Sequence, residues 1–597
     1  MKPINLLTST GQDAGARPFA KGFVVKRPWG EYCLGTLQIA EGWYELVAEA
    51  SGLILCLQDH ERFNRIELQA KSGTPGYVRL SAGTYEVSVM PGARPGLHRA
   101  SMAEFRPIPL LRFIDLLTRR FWQAIKGRMS VERVIELVRM AFAKRTFGIR
   151  AAGAVVDSDL GVLSAADLAR DKGNPVEGDF SKRIEAVTDG PRFLIQGRDP
   201  SWAAIAAQVY SNHTVNANEP YDYVVVLGDD DVLMPDALLL FAEHILTRPQ
   251  TQIIVADKWI GGRPTARVAW DPLLYWGKLP TPFAYSRGAD IVATFANQSA
   301  FSIVDVPLAA AQTADVFPSY PKEPLADRPP CSIIIPTRDR ADLLESCLKG
   351  LFDATPWPHE VIIVDNGSVE PATFAIFAAY AEKGLKVIRA DIPFNFSTLC
   401  NLGAKAASHE YLVFLNNDVV LHREDWLERM MTFAVLPEAG AVGARLLYTD
   451  GRLQHGGVVL GLTQLCGHLW RGTARDIQDA EPRLLHSSLR SAVTGACLCV
   501  ARRKYETVGG FDEKHYPVTL NDVALCLKLQ EAGFFNIYSA DAEAYHLESE
   551  SRGADEDAKK AARRSDELKQ FNHCWQAYRD PWLPHVVSQS TEQIHLR

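Results

Sequence analysis

Ser332-Ile333-Ile334-Ile335-Pro336-Thr337-Arg338 is the stretch from which the fold can be read. The first four residues make a short apolar strand, and Pro336-Thr337-Arg338 stops it. A helical pattern follows over 341–352. Val361-Ile362-Ile363-Val364 then runs into Asp365-Asn366-Gly367-Ser368. Lys386-Val387-Ile388, a helix over 399–407 and a fourth strand over 411–415 continue the alternation. Continuously apolar strands separated by helices predict a parallel α/β sheet covered on both faces. Polar clusters stand at the strand ends, where open α/β sheets bind their ligands, so a nucleotide-sized crevice is expected there.

The fourth strand ends in Asn416-Asn417-Asp418. A carboxylate beside amide oxygens at a strand end suits a hard divalent cation bridging a diphosphate. A helix N-cap or an Asx turn would use the same residues. Farther on come Thr494-Gly495-Ala496, Gly509-Gly510-Phe511-Asp512, Asn521-Asp522 opening the helix VALCLKLQEAG, and Tyr545-His546-Leu547-Glu548-Ser549.

PTRDR, VDNGS, PFNFSTLCNLGA, FLNND, LQHGG, TGACLC, GGFDE, NDVALCLKLQEAGF and YHLESESRG, in this order, closely resemble family 2 glycosyltransferases of the GT-A fold. The branch they are most similar to is the bacterial rhamnosyltransferase type of surface-polysaccharide synthesis. The resemblance covers about 250 residues, through motifs ordered as in that family. It implies an inverting transfer from a UDP- or dTDP-sugar to a growing polysaccharide or lipid-linked glycan, aided by Mg2+ or Mn2+. It implies that Pro336, Thr337, Arg338, Asp365, Asn401, Asn416 and Asn417 bind the nucleotide-sugar, and that Asp418 and His546 hold the metal. Asp522 matches the general base, and Gly495, Ala496 and Glu548 fall on the acceptor side. Such a transfer needs a carboxylate to take the acceptor proton and a cation to meet the charge of the leaving diphosphate. Two positions depart from the pattern. NND offers one carboxylate where DXD offers two, and Ala524 stands where the branch usually has a second Asp. The latter puts acceptor positioning or helix packing in question.

Upstream, YVVVLGDDDVLMPDALL at 223–239 repeats YLVFLNNDVVLHREDWL at 411–427, with a constant offset of 188 and seven identities in seventeen positions. Strand, acidic cluster and acid-led helix start recur in the same order, which points to duplication. Asp229-Asp230-Asp231 reproduces the acidic cluster, but no nucleotide loop, ND helix or terminal histidine accompanies it. The reading is a degenerate GT-A-like domain over 151–325, joined by the proline-rich FPSYPKEPLADRPP to a catalytic domain over 326–597. Residues 200–275 resemble the truncated first domain of tandem members of that family, with Asp257-Lys258 and Trp270-Asp271-Pro272 as fragments of their pattern. Residues 1–105 alternate apolar and polar positions between glycines and predict a β-sandwich. There Trp29, Trp43 and Tyr44 could stack on a sugar or fill a core.

Between them, 106–150 holds eleven Lys or Arg and three acids at helical spacing, on a chain of net charge −7. An interdomain helix and a peripheral dock on an anionic inner membrane both fit that segment. The acidic balance of the whole argues against a nucleic-acid partner. No apolar run reaches 18 residues, and the N-terminus has no secretory h-region. Ten scattered cysteines read as reduced thiols, so a cytoplasmic protein is expected. Two other readings stay open. One is a bifunctional enzyme using both α/β domains, and the other is a non-catalytic sugar-nucleotide or glycan binder.

Overall fold

In the computed structural model, residues 325–547 are described apart from 463–464 and 476–483, as are 558–583 apart from 576–577 and 579. Upstream, the description covers the strands between 4 and 151 and shorter stretches between 187 and 311. The first 151 residues contribute two sheets with antiparallel pairings, of seven and six strands. Tyr44 is a core residue of the first: it is buried, and its hydroxyl donates to the Ala40 carbonyl at 2.8 Å. The segment expected to be helical from Arg106 begins as strand, because Gly96–Ile108 pairs with Gly42–Ala50 through Ile108. It also ends as strand, at Thr146–Phe147 and Arg150–Ala151, while 109–145 lie outside the described residues.

The C-terminal domain is built on one large sheet. Its elements are β1 (Cys331–Thr337), α1 (Ala341–Asp353), β2 (His359–Asp365), α2 (Pro371–Ala381), β3 (Lys386–Arg389), α3 (Phe396–Ala406), β4 (Tyr411–Leu415), β5 (Val419–Leu421), α4 (Trp426–Ala434), β6 (Ala439–Leu447), β7 (Leu453–His455), β8 (Val458–Leu460), β9 (Cys466–His468), β10 (Ser488–Arg490), β11 (Cys497–Ala501), α5 (Arg502–Thr507), α6 (Asn521–Glu531), β12 (Phe535–His546) and α7 (Ala558–Trp575). The sheet runs β3-β2-β1-β4-β11-β6-β12-β5. The first four strands are mutually parallel, β11 is antiparallel to both β4 and β6, and β5 is antiparallel to β12.

Alternation along the strands divides two cores. Ile333, Ile335, Val413 and Leu415 pack on one face, whereas Ile334, Leu412 and Phe414 pack on the other. The central strands β1 and β4 are thus covered on both sides, which is why they carry no polar face. Helix α3 comes close because Gly403 has no side chain: a Cβ there would lie 2.2 Å from Ile334 Cγ2. Asn395 starts that helix by accepting the Thr398 N–H at 3.0 Å.

The upstream α/β unit repeats this order strand for strand. Phe193–Gln196, Tyr223–Val226, Phe283–Ser286, Ile253–Ile260, Phe301–Ala311 and Val232–Leu233 are neighbours in that sequence. Their directions match those of β1, β4, β11, β6, β12 and β5.

Candidate active site

The ends of β1, β2, β4 and β12, with the loops before β11 and α6, assemble the site. At the end of β1, Pro336 and Thr337 are buried, so Arg338 is the residue of that loop with an exposed side chain. Thr337 Oγ1 accepts from Asn417 Nδ2 at 2.9 Å, which ties the loop to the turn after β4. The chain then passes through left-handed Asp339 and Arg340, with φ of 51° and 53°. Asp339 holds that bend by accepting the N–H groups of Val369 and Glu370 at 2.7 and 2.8 Å.

Asp365, at the end of β2, is buried. One oxygen accepts the Ser368 N–H at 2.9 Å and the other meets Arg389 at 2.6 Å. Asn401, expected to bind the nucleotide-sugar, turns its side chain to the protein instead. Its amide donates to the Phe511 carbonyl and to Glu513, and its oxygen accepts from the Phe511 N–H and the Tyr505 hydroxyl. Those four bonds use a side-chain amide fully, so Asn401 braces the GGFDE loop.

The turn after β4 brings the acidic position to the end of β12. Val419 pairs with His546 across the strands, and His546 Nε2 lies 3.2 Å from Asp418 Oδ1. Gln454, from β7, fixes the imidazole by meeting His546 Nδ1 at 2.6 Å. A 3.2 Å separation suits two adjacent ligands of a cation whose metal–ligand distances are roughly 2.1 Å. Asn416 Oδ1 is buried without a hydrogen-bond partner in the same turn. Among the described residues no three His, Cys, Asp or Glu side chains converge as a metal cage. The chain would therefore offer a carboxylate and an imidazole, leaving other positions to phosphate oxygens and water. A divalent cation fits this donor set.

Asp522 lies in the first turn of α6, behind left-handed Leu520. Its Oδ2 accepts the Gly495 N–H at 2.8 Å and its Oδ1 the Val523 N–H at 2.8 Å. Gly495 and Ala496, expected on the acceptor side, are buried. They join loops instead: Gly495 to Asp522, and Ala496, through its carbonyl, to the Asn416 N–H at 2.9 Å. Glu548 lies outside the described residues. Ala524 is buried in the core on the α6 side of the sheet, so its small side chain serves helix packing.

Sequence reading did not single out Gln454 or the buried His455, whose Nδ1 stands 2.8 Å from His468 Nδ1. LQHGG marked both residues as part of a motif, but their partners lie in distant segments. In the upstream unit, Asp231 is buried against Lys258 at 2.9 Å and accepts the Gly228 N–H. It thus fills an ion pair and not an open acidic turn. Asp229 and Asp230 are outside the described residues. Val232 pairs with Ala310 as Val420 pairs with Tyr545, so Ala311 takes the place of His546 and brings no ligand atom.

Residues 332–471 match the family model for glycosyl transferase family 2. The C-terminal domain thus contains a stretch similar to family 2 glycosyltransferases. Its mixed, mostly parallel sheet is a GT-A glycosyltransferase fold. An uncharacterized protein of Sinorhizobium fredii is 37% identical to the chain over 43% of its length and 28% of the relative's. The O-antigen biosynthesis protein RfbC of Myxococcus xanthus is 39% identical over 39% of the chain and 18% of its own length. The N-acetylglucosaminyl-diphospho-decaprenol L-rhamnosyltransferase of Mycobacterium tuberculosis is 26% identical over 36% of the chain and 74% of that enzyme. The chain therefore spans less than a third of the first two relatives. Among solved structures, a Pyrobaculum calidifontis mannosyltransferase in complex with GDP-Man and Mn2+ is 19% identical. It covers 43% of this chain and 68% of its own, and its TM-score of 0.32 is too low to transfer residue roles to the C-terminal domain. The ten cysteines are thiols outside any disulfide, and among the described residues no helix is long and apolar enough to cross a membrane.

Proposed function

We propose that the C-terminal domain is the active half of an inverting, metal-dependent glycosyltransferase. It would move a sugar from a UDP- or dTDP-sugar to a growing cell-surface polysaccharide or a lipid-linked glycan. The observation that carries this reading is the Asp418–His546 pair at ligand spacing, set at the ligand-binding end of the sheet. Asp418 and His546 would hold the cation, which supplies charge stabilisation for the departing diphosphate. The single imidazole in the donor set favours Mn2+ over Mg2+. Exposed Arg338 would meet the nucleotide, and Asp522 would take the acceptor hydroxyl proton as the sugar is transferred. Inversion follows from one displacement with one base. The names of the Myxococcus and Mycobacterium relatives favour a polysaccharide or lipid-linked acceptor and a rhamnosyl donor among the candidates. An acceptor on a lipid carrier would place the enzyme at the cytoplasmic face of the inner membrane, reached peripherally through 106–150.

One active site is favoured over two because Ala311 stands in the register place of His546, which leaves the upstream turn without that imidazole. The test is turnover of UDP-glucose, UDP-N-acetylglucosamine and dTDP-rhamnose by purified protein, with Mn2+ or with chelator. Asp418→Ala and His546→Ala should each lose about a hundredfold or more in turnover and weaken Mn2+-dependent donor binding. Wild-type turnover by either variant in chelator would show the metal site to be misplaced. Tight donor binding with no turnover by the wild type, whatever the donor, would favour a sugar-nucleotide binder.

A further inference from the structure

His455 ends β7 and is wholly buried. The glycine turn after it is wrapped on Arg490, whose Nε donates to the Gly456 carbonyl at 3.1 Å. At Gly457, with φ of 98°, a Cβ would lie 2.4 Å from Arg490 Cγ. The ring is thus held in place on its C-terminal side. Its Nε2 accepts the backbone N–H of Thr494 at 3.3 Å. A backbone amide can only donate, so Nε2 presents a lone pair. A neutral ring then carries its proton on Nδ1, and that proton points to His468 Nδ1 at 2.8 Å. Burial, with His468, Arg490 and His546 nearby, holds the His455 pKa well below the usual histidine value, so the ring stays neutral. The hydrogen bonds fix one tautomer.

What that tautomer holds is the loop carrying the base. Thr494 N–H is bound by His455, and the next amide, Gly495 N–H, binds Asp522 Oδ2 at 2.8 Å. A Cβ on Gly495 would lie 3.3 Å from Asp522 Cβ, so this peptide and the carboxylate are in close register. The third residue, Ala496, accepts the Asn416 N–H and connects the same loop to the metal-side turn.

We propose that His455 is a positioning residue for sugar transfer: in its Nδ1–H form it fixes the Thr494-Gly495 amides and thereby the orientation of the Asp522 carboxylate. This rests on Asp522 being the base. A misplacement of about 1 Å in a catalytic group can cost on the order of a hundredfold. His455→Leu, which keeps bulk but removes the acceptor, should therefore lower kcat by roughly ten- to a hundredfold with donor KM within about twofold. His455→Gln, whose amide oxygen can accept the Thr494 N–H, should restore most of kcat.

The assay is Mn2+-dependent turnover of UDP-glucose, UDP-N-acetylglucosamine or dTDP-rhamnose, whichever the wild type accepts, with Asp522→Asn measured beside it. Equal kcat losses in the Leu and Gln variants, or a loss confined to donor KM, would overturn the proposal. Wild-type kcat in His455→Leu with an inactive Asp522→Asn would overturn it while leaving the base in place. An active Asp522→Asn would instead remove the base itself. Should the variants fail to fold, nitrogen-15 spectra of histidine-labelled wild type decide directly. Protonated Nδ1 with bare Nε2 on His455 is expected, and the opposite tautomer refutes the assignment.

Discussion

Asp522 satisfies two demands with one carboxylate. It takes N–H bonds from Gly495 and Val523, as any acid in the first turn of a helix can, and each of its oxygens keeps a further lone pair. A purely capping residue and a general base would respond differently to loss of charge. Asp522→Asn keeps the size and one acceptor, so a cap would survive it with a small loss of stability. A base would not. We expect the Asn variant to bind donor normally in calorimetry while turnover falls on the order of a hundredfold or more. An equal loss of donor affinity would return Asp522 to a capping role. At this scale the sequence marks positions that the fold brings together, since Asp418 and His546, far apart along the chain, meet at 3.2 Å. It was misleading where the role depends on partners. Asn401 looks like a ligand-binding amide, yet Tyr505, Phe511 and Glu513, more than a hundred residues on, use all its hydrogen bonds.

Among the elements, the parallel strands were legible because their apolar runs leave no choice of face. What could not be read was how their N-terminal ends are fastened. Glu360, at the start of β2, accepts from Ser332 of β1 at 2.5 Å, from Lys386 of β3 at 2.5 Å and from the Ser408 N–H, just before β4, at 2.6 Å. One carboxylate thus clamps four strands at the edge opposite the site. Burial alone would raise its pKa, but the hydrogen bonds from Lys386, Ser332 and Ser408 outweigh that and bring it down to about 2. A carboxyl depressed in the folded state stabilises above its unfolded pKa, near 4.5, and loses that contribution as pH falls towards 2. Glu360→Gln should therefore be less stable than wild type at pH 7, by about 1–2 kcal/mol. The gap should narrow as pH falls from about 4.5 towards 2. Denaturant melts at pH 7, 4 and 3 measure this, and a gap that stays constant with pH would dismiss the clamp as an electrostatic device.

The whole molecule joins its two α/β units through shared interior. The repeat seen over seventeen residues extends in the structure to six strands of matching order and direction. Packing preserves strand order after individual side chains have diverged, which is why so short a window was all that could be read. Ile253, Val255, Leu273, Leu274, Tyr275 and Phe283 of the upstream unit lie in the same apolar cluster as Ile333, Ile363 and Val413 of the C-terminal domain. Asp271 pins that junction. It is fully buried, with one oxygen accepting the N–H groups of Leu273 and Leu274 at 3.1 and 3.0 Å. The other oxygen crosses to the Leu489 N–H of β10 at 2.9 Å. Leu489 adjoins Arg490, which braces the turn behind His455, so the upstream unit supports the site from behind. Asp271→Ala would leave three amides without this acceptor, at about 1–3 kcal/mol for each that stays buried and unpaired. We expect scanning calorimetry to show the two units unfolding in one transition, lowered by roughly 6 °C or more in the variant, since about 1 kcal/mol shifts a unit of this size by 2–4 °C. Two resolved transitions, only one of them moved by Asp271→Ala, would show instead that the upstream unit folds by itself and that the junction is incidental to the site.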